Sequence, residues 1–143
     1  MSRRLIKSII EDQEIVTAPS TMTVRKAAQL MKQHKIGALM VCDKGHLVGV
    51  FTERDALFRV TAEKCNPETA VLADVMTPDP QTIGPDKPLG HALHMMYEGG
   101  FRNVPVVEKG HPVGIVSAHN ALGPELKEFV EELDDREKIT EIL

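Results

Sequence analysis

The sequence predicts an α/β (α+β) fold: two pseudo-symmetric β-α-β-β-α copies packed sheet to sheet, with their helices outside. Three observations carry the prediction. Residues 17–57 align with 82–122 at a constant offset of 65, without a gap, and eleven of the 41 pairs are identical. Each copy has one apolar stripe at helical spacing followed by two short apolar runs. Those runs are separated by DKGH in the first copy and EKGH in the second, where Gly45 and Gly110 suit tight hairpins. Two copies are too few for a solenoid, so a pseudo-symmetric pair is expected.

The elements follow in order. The first copy opens with an extended piece, EIVTA at 14–18, and a helix with Val24, Ala27, Ala28 and Met31 on one face. The strands ALMVC and HLVGVFT come next, and a second helix starts after Thr52. The second copy repeats this with PQTI at 80–83, the stripe Leu89, Ala92, Leu93, Met96, the strands NVPVV and HPVGIVS, and a helix after Ser117. One copy alone has a small sheet under a single helical layer, whereas two copies bury both inner faces. The connector, 62–79, holds Pro67, Pro78 and the TPDP turn but also VLADVM, so it is expected to be partly helical and packed. One cooperative unit results, with copies at 14–62 and 73–126. An N-terminal helical extension at 1–13 and an acidic C-terminal helix at 127–143 flank it. Leu126, Phe129, Val130 and Leu133 give that last segment an apolar stripe.

Bulk properties narrow the function. A chain of 143 residues buries about 70% of its unfolded surface, enough for a core without staples. No apolar stretch approaches the roughly 20 residues of a membrane span. The basic start, MSRRLIKSII, is too broken by Lys7 and Ser8 for a secretory signal, so a cytoplasmic protein is expected. Cys42 in ALMVC reads as a buried small residue and Cys65 lies in a polar connector; nothing in the chain requires a disulfide. The net charge of −4 is concentrated in the last twenty residues, leaving a nearly neutral body. With one Tyr and four Phe, that argues against nucleic acid as a partner.

The corner GVFTERD at 49–55 is the candidate site, and it has two readings. As structure, Thr52 caps the following helix and Asp55 completes a capping box. As a site, Gly49 permits close approach, and Thr52 with the free helix N–H groups accommodates an anion. Asp55 is then an acceptor-only group able to take two adjacent hydroxyl donors. GVFTERD, together with DVMTPDPQTI and RNVPVV in the second copy, resembles a tandem cystathionine-β-synthase (CBS) domain pair over 15–126. With so little chain outside that span, the resemblance is to a free-standing pair without a separate enzyme domain.

The resemblance implies binding of adenosine-containing ligands (AMP, ADP, ATP, NAD or S-adenosylmethionine) between the copies, with Asp55 on the ribose. It places Ile36, Gly37 and Ala38, and Phe101, Arg102 and Asn103, along the adenine pocket, with Thr17 and Thr82 nearby. Arg102 is either a phosphate clamp or a surface residue; Arg54 and His119 face either the crevice mouth or solvent. In the second copy Ser117 and Asn120 replace Thr52 and Asp55. An amide offers one acceptor oxygen and no charge, so that site is weaker, altered in ligand choice, or structural. No cofactor is required; the nucleotide is a regulatory ligand signalling to an unidentified partner protein.

Other function classes lack their parts. His91 and His94 sit three apart on a predicted helix without a third ligand, so no metal is expected, and polarity explains His46 and His111 in their turns. No nucleophile elbow, P-loop or nucleophile–base pair marks an enzyme. A ligand-independent adaptor is the alternative. Its sign is apolar surplus at Leu30, Met95, Ala56, Leu57, Phe58 and Val60, which also points to a homodimer.

Overall fold

A computed structural model describes residues 4–119 and 135. The elements are α1 (Ile6–Ile10), β1 (Thr17–Ala18), α2 (Val24–His34), β2 (Ala38–Asp43), β3 (His46–Thr52) and α3 (Glu53–Asp55), which widens into a π-helical turn (Ala56–Thr61). There follow α4 (Leu72–Val75), β4 (Thr77–Pro78), α5 (Leu89–Gly99), β5 (Asn103–Glu108) and β6 (His111–Ser117). The expected C-terminal helix, its apolar stripe and Asn120 lie outside the described residues.

Each hairpin turns where the sequence places KG. Lys44 and Gly45 have φ of 52° and 79°, and Lys109 and Gly110 of 52° and 82°. Positive φ at both central residues is what a two-residue type I′ turn demands. Alternation along the strands then divides the faces. Leu39, Val41 and Phe51 pack with Val24, Ala27 and Met31 of α2 in one apolar cluster. Val104, Val106 and Val116 pack with Leu89, Ala92 and Met96 of α5 in another. The opposite face of the first sheet is buried as well, at Ala38, Met40 and Val50, and β3 meets β6 between the halves. The expected sheet-to-sheet packing with helices outside therefore holds.

The halves also meet at their hairpin tips. The His46 and His111 rings stack with centroids 4.7 Å apart, His111 Nδ1 lies 2.8 Å from the Gly45 carbonyl oxygen, and Leu47 N–H donates to the Gly110 carbonyl. Polarity alone does not explain the matched histidines: each closes over the other copy's turn.

The described part of 1–13 is no appendage. Ile6 and Ile10 of α1 belong to the second cluster, while Leu72 and Val75 of α4 belong to the first. Each lead helix thus packs on the half that its own copy does not form. Matching backbone bonds fix the exchange, Ile6 N–H to Lys87 O and Leu72 N–H to Met22 O. β4 extends the first sheet by pairing with Gly49 and Val50 of β3. At the corresponding edge of β6, the Gln13 amide does the same work, donating to Ile115 O at 2.9 Å and accepting from Ile115 N–H at 2.7 Å.

Most of the apolar surplus is absorbed: Val60 is buried, and Leu30, Ala56 and Met95 pack against the clusters. Leu57 and Phe58 stay more than half exposed. Cys42 is half-buried and not fully buried as expected; burial, with Asp43 beside it, pushes its thiol up and so disfavours the thiolate. Among the described residues no helix is long and apolar enough to cross a membrane.

The loop before α2 is held by Asp43, whose carboxylate accepts from Ser20 Oγ at 2.6 Å and Ser20 N–H at 3.0 Å. Those bonds hold the carboxyl below its ordinary value. A depressed folded value stabilises the native form above the unfolded carboxylate range, about pH 4, and is lost as pH falls through the folded value. Ser20→Ala should therefore lower the melting temperature at pH 7 and shrink the further drop on acidification. Parallel melting curves of the variant and the wild type from pH 7 to 3 check this.

Candidate functional site

The T-x-x-D spacing builds the corner between β3 and α3. Thr52 N–H donates to Asp55 Oδ2 at 3.0 Å, Thr52 Oγ1 donates to the same oxygen at 3.1 Å, and Asp55 N–H donates back to Thr52 Oγ1 at 3.2 Å. This is the capping box anticipated from sequence. Asp55 is only 6% exposed, the one buried charged side chain among the described residues. Its other oxygen, Oδ1, faces Arg59 Nε at 3.5 Å. A carboxylate has about four acceptor positions. Three are engaged here, so Oδ1 retains room for one more donor.

Asp55 lines a cleft of about 880 Å³ between the two halves. On the first-copy side stand Gly37, Thr52, Glu53, Arg54 and the π-turn residues Leu57, Phe58 and Arg59. On the second-copy side stand Gly99, Gly100, Phe101, Arg102 and Asn103, and a further wall is made by Thr77, Asp79, Pro80 and Gln81. The predicted residues Gly37, Thr52, Arg54, Asp55, Phe101, Arg102 and Asn103 are therefore brought together. Arg54 faces the crevice: its guanidinium lies 5.8 Å from the Phe58 ring centroid, and Nη1 reaches Gly100 O at 3.5 Å across the cleft. Arg54, Arg59 and Arg102 balance Glu53, Asp55 and Asp79, so the formal charge of the lining is zero.

Other predicted residues sit elsewhere. Ile36 lines a shallower groove of about 700 Å³ between α2 and the π turn, and Ala38 is buried in β2. Thr17 and Thr82 are exposed beyond the cleft walls. Ser117 and His119 belong to the matching corner of the second copy, again outside this cleft. Gly49 has a different duty from the one expected. A Cβ there would collide with Met76 Sδ and come within 3.0 Å of Thr77 O, so the close approach is by the protein's own chain. Gly114 admits Ile10 and Gln13 in the same way.

Sequence reasoning missed Arg59 and the 77–81 wall. The i, i+4 acid–base spacing of Asp55 and Arg59 was a usable signal for the first. The sequence marks TPDP as a turn and PQTI as an extended piece, neither of which points to the cleft. His94 pairs with Glu98 on α5, at 2.9 Å, and among the described residues no three metal-ligating side chains come together.

Comparison with known proteins agrees with this arrangement. The CBS domain model matches residues 6–62 and 72–123, and so takes in the lead helices. A CBS domain-containing protein of Bacillus subtilis, YhcV, is 35% identical over 104 residues, covering 73% of this chain and 74% of its own length. The structure of a CBS-domain containing protein from Agrobacterium tumefaciens superposes with a TM-score of 0.78 at 27% identity, covering 85% of this chain and 99% of that one. The hexameric CBS-CP12 protein from bloom-forming cyanobacteria gives 0.76 at 24% identity, covering 84% of this chain and 70% of that one, a likeness of fold. Against longer plant relatives from Arabidopsis thaliana, the chain spans about a fifth of their length. The chain belongs to the CBS domain family, as a tandem pair of a kind that is generally regulatory and ligand-binding.

Proposed function

We propose that the pair binds an adenosine-containing nucleotide in the cleft between its copies and signals occupancy to a partner protein in the cytoplasm. The observation that carries this reading is Asp55: a buried carboxylate on the cleft wall with acceptor capacity left on Oδ1. One ribose hydroxyl donates to that oxygen. The second is received on Oδ2 when the Thr52 hydroxyl swings from Oδ2 to a ligand phosphate, so the sugar and phosphate contacts reinforce each other. Arg54 and Arg102 at the cleft walls supply cations for the phosphate. Gly37 and the 101–103 segment, from opposite copies, flank the space for the base.

A ligand touching both halves changes their relative arrangement only through unequal affinity for the two arrangements. Exposed Leu57 and Phe58 provide the surface on which a second copy forms the proposed homodimer, or on which a partner reads the change. The same two residues favour the second reading, a ligand-independent adaptor.

A thermal-shift panel of AMP, ADP, ATP, NAD and S-adenosylmethionine separates the two. Ligand at a hundred times its dissociation constant stabilises by about 2.7 kcal/mol, a shift of several degrees. No shift with any of the five at millimolar concentration leaves the adaptor.

A further inference from the structure

We propose that Arg59 is a positioning residue that fixes the ribose-accepting oxygen of Asp55 and ties it to the Met76 backbone, where the 77–81 lining of the cleft begins; this rests on the nucleotide reading above. Asp55 Oδ2 is oriented by Thr52, but Oδ1, the oxygen with room for a ligand donor, has Arg59 Nε as its neighbour at 3.5 Å. Arg59 is itself anchored. Its Nη1 donates to Met76 O at 2.8 Å and lies 3.5 Å from Val75 O. Because the guanidinium is planar and rigid, holding Nη1 also sets the direction of Nε. Met76 in turn is seated against Gly49, where no side chain would fit, and leads directly into Thr77, Asp79, Pro80 and Gln81 of the cleft lining.

The geometry is poorly suited to a purely stabilising role. The Arg59 side chain is 48% exposed, and an ion pair at 3.5 Å with one such partner adds little to folding. What it does set is direction, because the one acceptor position left on Asp55 is the one beside Nε. The chain Asp55–Arg59–Met76 therefore connects the sugar contact to the root of the 77–81 lining. Among the acids of the lining it is Asp55 that pairs with this guanidinium, and neither Glu53 nor Asp79 takes its place.

The test is calorimetric titration of AMP and of 2′-deoxy-AMP into wild type, Arg59→Gln and Arg59→Lys, with the unliganded melting temperature of each. Wild type should favour AMP by about tenfold or more, the equivalent of one charge-assisted bond. Arg59→Gln should lower AMP affinity about tenfold and 2′-deoxy-AMP affinity much less, so that the preference falls to within about threefold. Arg59→Lys keeps the charge, but one ammonium lacks the fork that spans Met76 O and Oδ1, so it too should lose the preference. Full discrimination in either variant overturns the positioning role. Wild type that binds AMP without preferring it, or does not bind it, removes the ribose reading and this inference with it. Arg59→Lys decides the matter should Arg59→Gln melt well below the wild type.

Discussion

Alanine at position 55 should weaken AMP binding at least tenfold. In the proposed site the carboxylate would accept from the sugar, and losing a hydrogen bond to a charged group costs about 1.5–3 kcal/mol. The same change removes the carboxylate half of the capping box while Thr52 still caps α3, which costs about one net hydrogen bond, roughly 0.5–1.5 kcal/mol of stability. Two effects of one substitution must be separated, and Asp55→Asn does so. An amide oxygen still accepts the Thr52 N–H, so much of the cap survives. The NH₂ group, however, turns a donor where Arg59 and the ligand also donate. The expected order of affinity is wild type, then Asn and Ala together, whereas the order of stability is wild type, Asn, Ala. Calorimetric titration with AMP beside thermal melts reads both. Unchanged affinity in a folded Asp55→Ala variant would withdraw the role given to this carboxylate.

The largest effect on stability is expected at Ile6. Its side chain is fully buried in the second cluster, although it stands 77 residues before Ile83, its neighbour there. Truncation of a buried isoleucine to alanine costs about 2–5 kcal/mol. At this chain length that corresponds to a fall of roughly 10 °C in melting temperature. Lys7→Ala is the control, since its pair with Asp86 is exposed on both sides and should change stability by less than about 0.5 kcal/mol. Urea unfolding of the two variants followed by circular dichroism checks the contrast. Equal behaviour of Ile6→Ala and Lys7→Ala would contradict the packing of α1.

Legibility in the sequence followed the range of the interaction. The strands and hairpins were readable because alternation and the KG turn residues are local signals, and the repeat supplied each of them twice. The stripes on α2 and α5 were readable for the same reason. The π-helical turn was not, because the residues ALFRVT carry no local preference that separates an i→i+5 ladder from an ordinary helix. The exchange of lead helices was not readable either. Ile6 and Ile10 look alike whether they pack on the nearer sheet or the farther one, and only the three-dimensional path decides. Gly49 is legible as a place of close approach, but the sequence does not say that Met76 fills it, nor that Ile10 is admitted at Gly114. The matched histidines needed the pseudo-twofold placement of the turns before their stacking had any meaning.

In the candidate site, the corner was the readable part because its bonds lie within four residues. Arg59 was passed over since a carboxylate in the first helical turn already satisfied the local pattern. The wall at 77–81 reaches the cleft only because β4 crosses to the first sheet.

The exchanged lead helix has a mechanical meaning. Any domain or tether joined ahead of Arg4 would be leashed to the rear half of the molecule, not to the half that follows it in the chain. A tug or a bulky cargo at that end would load β6 and α5 first, and would reach Asp55 only by prying the two lobes against each other.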